Sequence, residues 1–119
     1  MTTKDSRLIV SEEGPITKVR FLDRNILEEA NIQQIGDEIA HLIEASDNPK
    51  LLIDFAQVEH LSSAALGTLI TINNKVRSKS GQLRLCNIDP QIYEVFVITK
   101  LNKLFQIHED APQAVASFK

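Results

Sequence analysis

The chain has 119 residues, of which 43% are hydrophobic and 24% are charged, and its formal net charge is −3. This length and composition predict a single globular domain over residues 1–119 with one hydrophobic core. The small negative charge, the scattered Lys and Arg residues and the absence of Trp argue against a nucleic-acid-binding surface. The single cysteine, Cys86, excludes an internal disulfide and a thiolate-cluster metal site, and neither a metal nor another cofactor is expected.

The N-terminal residues carry no signal for export. No basic start is followed by an apolar stretch, and no apolar run approaches the roughly 18 residues of a membrane-spanning helix. The sequence therefore predicts a cytoplasmic protein without membrane insertion. Residues 1–6 are polar and are expected to be disordered.

The first predicted elements are a hairpin and a helix. An apolar stretch at 8–10 and an alternating stretch at 16–21 flank Gly14 and Pro15, which predicts two antiparallel strands. Apolar residues then recur at helical spacing: Ile32, Ile35, Ile39, Leu42 and Ile43. The start of this helix is open, because either Asn25 or Asn31 could cap it. Gly36 within the helix suggests close packing against a sheet.

The remaining elements alternate between strands and helices. Residues 50–55 form an apolar run without alternation, which is typical of a strand covered on both faces. A second helix follows and is expected to end with Gly81 as its C-terminal cap. A strand at 83–86 precedes a helix capped by Asp89, and a short strand at 104–107 precedes a helix that begins at Asp110.

The predicted order is β-β-α-β-α-β-α-β-α. Strands that alternate with helices imply right-handed crossovers and therefore a mostly parallel sheet with helices packed on it. The opening hairpin adds an antiparallel edge strand. The predicted fold class is thus α/β.

Two adjacent serines, Ser62 and Ser63, lie where the second helix follows its strand. Ser62 is the expected N-cap, because its hydroxyl can accept a hydrogen bond from a first-turn amide. Ser63 would then lie in the first turn, where unpaired amides and the helix dipole favour a phosphate. Local features leave open whether Ser63 carries a function or only accompanies the cap.

The sequence lacks the signature motifs of several enzyme classes. The chain has no G-x-x-x-x-G-K-[ST], G-x-G-x-x-G or G-x-S-x-G motif, and His41, His60 and His108 have no metal-binding spacing. His60 borders the serines, but a nucleophile–base pair also needs an orienting group and an oxyanion site. Asp54 at the end of the central strand could accept a phosphoryl group, although bonding to neighbouring loop amides is favoured. We therefore predict a protein that is not an enzyme.

The sequence of residues 52–58 leading into 61–67 resembles one known family pattern. The apolar strand, the loop and the run Leu61-Ser62-Ser63-Ala64-Ala65-Leu66-Gly67 are similar to the D-S-[ST]-G-L-G junction of the STAS domain, the sulphate-transporter and anti-sigma-factor-antagonist module. Residues 81–88 and 92–96 resemble the next strand and helix of that family. The resemblance extends from about Leu8 to Phe118.

This resemblance implies a function. The similar bacterial members are stand-alone cytosolic proteins that bind an anti-sigma factor, which is also a serine kinase, and so release the sigma factor. Phosphorylation of the serine after the motif's aspartate blocks that binding, and a serine phosphatase reverses it. The phosphoacceptor falls on Ser63, with Ser62 as the second candidate. The expected partner-binding residues are Asp54, His60, Leu61, Ser62, Ser63, Ala64, Leu66 and Gly67.

The chain departs from the family motif at three positions. Ser62 replaces the aspartate, Ala64 the second hydroxyl residue and Ala65 the glycine. Serine can replace aspartate as an N-cap, so the helix should be unaffected, but a contact with the kinase is lost. Two alternatives stay open: a non-phosphorylated STAS adaptor subunit of a transporter or signalling assembly, and a small-nucleotide binder. The sequence does not settle the oligomeric state.

Overall fold

The computed structural model describes residues 8–118, and the expected disorder of residues 1–6 lies outside this range. The described strands are β1 (Leu8–Glu13), β2 (Ile16–Phe21), β3 (Asn25–Ile26), β4 (Lys50–Asp54), β5 (His60–Leu61), β6 (Gln82–Cys86) and β7 (Gln106–His108). The helices are α1 (Glu29–Glu44), α2 (Ser63–Ser78), α3 (Pro90–Ile98) and α4 (Ala111–Ser117), with a 3-10 turn at Leu101–Lys103.

Five strands form one mixed sheet in the order β1-β2-β4-β6-β7. β1 pairs with β2 in antiparallel fashion, and the other neighbours in this sheet are parallel. The buried strand β4 lies at the centre, as its unbroken apolar sequence predicts. This architecture confirms the predicted α/β fold with an antiparallel edge.

The two faces of the sheet carry separate apolar clusters. Along β4, Leu51 and Ile53 belong to the larger cluster, which also contains residues of α1, α2 and α3. Leu52 points to the opposite face, where it packs with Cys86 and with Ala114 of α4. Helices α1, α2 and α3 therefore cover one face, while the short α4 covers part of the other.

Three local predictions differ from the structure. α1 begins at Glu29 after Glu28, which makes no side-chain cap, so neither Asn25 nor Asn31 caps the helix. Asn25 instead belongs to β3, which pairs in parallel with β5 as a separate two-stranded ladder. The last strand begins at Gln106 and not at residue 104, because the 3-10 turn and the residues after it occupy that segment. Gly36 approaches α2 at Thr68 and not the sheet.

The end of α2 also differs from the prediction. Ser80, not Gly81, adopts the left-handed conformation, with φ of 57°. The amide of Ser80 donates to Arg77 O at 3.0 Å and that of Gly81 to Val76 O at 2.9 Å, the two bonds of a Schellman motif. Gly81 is needed for another reason: a Cβ there would overlap the carbonyl oxygen of Pro49, with the Pro49 Cγ at 2.7 Å.

We expect Gly81→Ala to destabilise the protein by about 1–3 kcal/mol, because the added methyl group would clash with the backbone of Pro49, the residue that precedes β4. Gly67→Ala is the matched control, since a Cβ at Gly67 has no neighbour within 4 Å and the position is helical. That variant should gain about 0.5–1 kcal/mol. Urea denaturation measures both, and equal stabilities would contradict the close approach.

Arg84 in β6 contacts α4 and the residue after it, and so links α4 to the sheet. Its Nε donates to Ser117 Oγ at 2.8 Å, and its guanidinium lies 5.0 Å from the centroid of the Phe118 ring. Arg84 is buried, and burial lowers the pKa of its guanidinium. The hydrogen bonds and the aromatic contact offset part of the cost of burying this charge.

Cys86 is buried beneath α4. Burial, and then the nearby negative charge of Asp54, raise the pKa of the Cys86 thiol to about 12 from an ordinary value of 9.0. We expect alkylation by iodoacetamide at pH 8 to be on the order of 100- to 1,000-fold slower in the folded than in the unfolded protein, because the thiolate is the nucleophile. Mass spectrometry after timed alkylation, with and without denaturant, measures the ratio.

The free energy of unfolding should also fall between about pH 9 and 12, where only the unfolded chain carries the Cys86 thiolate.

Candidate functional site: the serine junction before α2

The loop between β4 and α2 is held by the short strand β3. The amides of Glu59 and His60 donate to Arg24 O at 2.7 and 3.1 Å, and the amide of Ser62 donates to Ile26 O at 3.1 Å. Arg24 and Glu59 also form an exposed ion pair at 3.7 Å, which contributes little stability. The serine junction is therefore fixed by backbone hydrogen bonds to a segment that lies more than thirty residues earlier in the chain.

Ser62 is the N-cap of α2, as predicted. Its backbone is extended, with φ of −80° and ψ of 164°, and its Oγ accepts from the Ala65 amide at 3.3 Å. Its carbonyl oxygen accepts the first helical bond, from the Leu66 amide at 3.2 Å. The hydroxyl of Ser62 is thus committed to the helix start.

Ser63 is the first residue of α2 and is exposed. The amides of Ser63 and Ala64 precede the first helical hydrogen bond, and the first turn of α2 contains no acidic residue. Ala64 and Gly67 are also exposed, whereas Ala65 and Leu66 face the core. A negatively charged group on Ser63 would lie at the positive end of the α2 dipole without a competing carboxylate in that turn.

A cleft of about 140 Å³ separates the serine junction from α3. One side is formed by the loop and α2 and the other by α3: Glu59, His60, Leu61, Leu66, Gln91, Ile92 and Val95. A more open depression beside it is lined by Asp89 and Pro90 as well as Glu59 and His60. The predicted site residues His60, Leu61 and Leu66 therefore meet at one cleft, with Leu66 almost fully buried at its base.

Asp54 lies apart from the other predicted site residues. It is 5% exposed, and strand alternation places its side chain on the same face as Leu52, beneath α4. Its Oδ1 accepts from the Ala56 amide at 2.9 Å and from Asn87 Nδ2 at 3.0 Å, and its Oδ2 lies 3.9 Å from Lys18 Nζ. The expectation that Asp54 bonds loop amides is confirmed. The sheet separates it from Ser63, so the structure does not bring the two together.

Two of the three histidines lie at exposed positions. His41 is exposed on α1, and His60 is exposed at the rim of the cleft. Within residues 8–118, no group of three or more His, Cys, Asp or Glu side chains could hold a metal ion. Of the helices in this same range, none has both the length and the apolar character to cross a membrane.

Two parts of the site were missed from the sequence. The first is the segment of Arg24, Asn25 and Ile26 that binds the loop before α2. It was missed because a two-residue strand has no periodic hydrophobic pattern. The second is the position of α3 beside the serine junction. A signal for α3 was present: its nine residues include six large apolar or aromatic ones, more than a helix with one buried face requires.

Comparisons with known proteins agree with this geometry. The family model of the STAS domain matches residues 8–114. BtrV of Bordetella bronchiseptica, described as a candidate anti-sigma factor antagonist, is 26% identical over 96 residues, which cover 81% of this chain and 82% of BtrV.

Solved structures of similar fold include anti-sigma factor antagonists. An anti-sigma-factor antagonist (STAS) domain protein from Planctomyces limnophilus superposes with a TM-score of 0.84 at 21% identity, covering 92% of this chain and 96% of that one. The phosphorylated form of the Bacillus cell fate determinant SpoIIAA superposes with a TM-score of 0.67 at 16% identity, covering 92% and 96% of the two chains. At these identities the likeness establishes the fold.

The chain belongs to the STAS domain family. It resembles the anti-sigma factor antagonists of that family over nearly its whole length. Such antagonists are regulators and not enzymes, in agreement with the prediction from the sequence.

Proposed function

We propose that this protein is an anti-sigma factor antagonist of a bacterial partner-switching system in the cytoplasm. In this proposal it binds an anti-sigma factor that is also a serine kinase, and phosphorylation of Ser63 switches the binding off. A serine phosphatase restores the active form. The protein itself catalyses no reaction.

The observation that carries the proposal is the division of roles between two adjacent hydroxyls. Ser62 Oγ is engaged by the Ala65 amide, whereas Ser63 is exposed at the first position of α2. A kinase can reach Ser63 without unfolding the helix start. Phosphate adds about −1.5 to −2 charge and three acceptor oxygens, and the start of a helix tolerates both. SpoIIAA of Bacillus, a protein of similar fold, is known in a phosphorylated form, which supports control by phosphorylation.

The proposed partner surface consists of the exposed residues around Ser63. His60, Ala64 and Gly67 are exposed, and Leu61 and Ser62 are partly exposed. Leu66 takes part from the base of the cleft. Asp54 supports the loop through Ala56 from the opposite face of the sheet and is not proposed as a direct contact.

The absence of the motif's aspartate leaves the kinase with one contact fewer at position 62. Since the Ser62 hydroxyl caps α2 in its place, the backbone around Ser63 keeps the geometry of a capped helix start. Recognition of Ser63 would then depend on the loop and on α2, which carry the remaining motif residues Leu66 and Gly67.

Phosphopeptide mapping tests the proposal. Purified protein is incubated with ATP and each serine kinase of the anti-sigma factor type from the same genome, and modification at Ser63 is expected with one of them. Ser62→Ala should still be modified at Ser63, whereas Ser63→Ala should not be modified. Modification at Ser62 alone, or at no serine with any such kinase, would overturn the proposal, and stable capture by a transporter subunit instead would favour an adaptor.

A further inference from the structure

The side of α3 that faces the serine junction combines exposed apolar residues with the polar Gln91, which also lines the cleft. α3 buries Ile92 and Phe96 in the core. Val95 lines the cleft and is 39% exposed, and Ile98 is 79% exposed, the most exposed large apolar residue of the described chain. Because Val95 and Ile98 are three residues apart, they lie on the same side of the helix and extend the cleft into a groove. Val95 and Ile98 thus leave exposed apolar surface on α3 beside the cleft.

The charged residues that line this groove are acidic, and the cation of Arg24 lies beside one of them, Glu59. Among the described residues that line the cleft and the depression beside it, the charged ones are Glu59 and Asp89. Asp89 Oδ1 caps α3 by accepting from the Gln91 amide at 2.8 Å, and the exposed Glu59 carboxylate lies 3.7 Å from the Arg24 guanidinium. The groove therefore combines an apolar floor with a negative rim, which complements an amphipathic segment with Lys or Arg beside its apolar residues.

We propose that this groove, the α3 groove, receives a basic amphipathic helix of the kinase partner. The helix places its apolar stripe over Val95 and Ile98, inserts one aliphatic side chain against Leu61 and Leu66, and directs its Lys or Arg residues at Glu59 and Asp89. This inference deepens the proposed function and rests on it for the identity of the partner.

The α3 groove also accounts for how Ser63 could control binding. Ser63 and Leu66 are three residues apart on α2, and Leu66 lies at the base of the cleft, so a phosphate on Ser63 would stand at the mouth of the groove. Its negative charge would not repel a basic segment. Inhibition therefore comes from the bulk and the hydration shell of the phosphate, which keep the aliphatic side chain out of the cleft.

Peptide probes test the chemistry of the groove without the kinase. Two synthetic helical peptides share one amphipathic leucine pattern, with lysine at every polar position of the first and glutamate at those of the second. In NMR titrations of the isotope-labelled protein, the lysine peptide should shift the amides of Leu61, Leu66, Val95 and Ile98 and bind at least about tenfold more tightly than the glutamate peptide. Raising the salt concentration should narrow that difference. Shifts confined to other surfaces, or equal affinities, would overturn the inference.

A matched pair of variants on one helix sharpens the test. Ile98→Asn should weaken the lysine peptide and the kinase by about tenfold or more. Val97→Asn, at an exposed apolar position of α3 that faces away from the cleft, should change either affinity by less than about twofold. Thermal unfolding confirms that both variants are folded. Equal effects of the two variants on the lysine peptide or on the kinase would overturn the inference.

The two proposals fail in distinguishable ways. If a kinase modifies Ser63 and binds Ile98→Asn as tightly as the unchanged protein, the proposed function stands and the α3 groove does not bind that kinase. If no kinase modifies Ser63, the proposed function fails. The peptide titrations then decide alone whether the α3 groove binds basic amphipathic segments.

Discussion

Phosphorylation of Ser63 is expected to weaken the binding of the anti-sigma factor kinase by at least about 100-fold, which corresponds to about 2.7 kcal/mol. The reason lies in the place of the phosphate. Ser63 is exposed on α2 one turn before Leu66, and Leu66 lines the cleft beside α3. A hydrated dianion at that position must either lose water or hold the partner away, and both reduce affinity.

Calorimetric titration of the kinase into three forms of the protein measures this effect. The unmodified protein and Ser63→Ala should bind with affinities within about twofold of each other, since the Ser63 hydroxyl makes no cap. The phosphorylated protein should bind at least about 100-fold more weakly. Ser63→Asp should lose affinity by a smaller factor, because a carboxylate is smaller and less charged than a phosphate.

The fold itself should tolerate the phosphate. Negative charge at the exposed start of a helix is favourable by about 0.3–1 kcal/mol. The melting temperature of the phosphorylated protein should therefore equal or slightly exceed that of the unmodified protein. Strong destabilisation by phosphate, or unchanged affinity for the kinase, would contradict a switch that acts at the binding surface.

Replacement of Asp54 by alanine is expected to destabilise the protein by about 3 kcal/mol. The carboxylate is 5% exposed and serves three groups: the Ala56 amide, the Asn87 side-chain amide and the Lys18 ammonium group. Alanine would leave these partly buried donors without their acceptor, and each unpaired group costs up to about 1–3 kcal/mol. Urea denaturation measures the loss.

Asp54→Asn separates the hydrogen bonds from the charge. Asparagine keeps one carbonyl oxygen as an acceptor for the Ala56 amide and gives up the ion pair with Lys18, so it should cost less than alanine. Under conditions in which each variant is folded, its affinity for the kinase should match that of the unchanged protein, because the sheet separates Asp54 from Ser63. A large loss of affinity without loss of stability would instead make Asp54 a contact of the partner.

The start of α2 could be predicted from sequence because its determinants are local. Ser62 precedes an apolar helical pattern, and its hydroxyl needs only the amide three residues later to form the cap. The caps Asp89 and Asp110 were predictable for the same reason, and both accept from amides two or three residues ahead. The central strand β4 was also predicted, since so unbroken a short apolar run is typical of a strand buried on both faces.

The start of α1 and the end of α2 could not be predicted, because contacts with distant residues decide them. Asn25 has the side chain of a cap, yet it pairs with His60 across the β3–β5 ladder, and α1 begins without a side-chain cap. At the end of α2, Ser80 takes the left-handed conformation that glycine usually adopts, while Gly81 is required by its approach to Pro49. A close approach between segments that lie far apart in the chain leaves no periodic signal in either of them.

For the serine junction, the sequence by itself determined that two hydroxyls lie at a helix start, that the first of them caps the helix, and that the surrounding residues resemble the STAS motif. The tertiary structure decided which residues share a surface with Ser63. It placed Asp54 on the far side of the sheet, since strand alternation sets its side chain beneath α4. It also brought Leu61 and Leu66 together with α3, since the crossover after β6 returns the chain beside the serine junction.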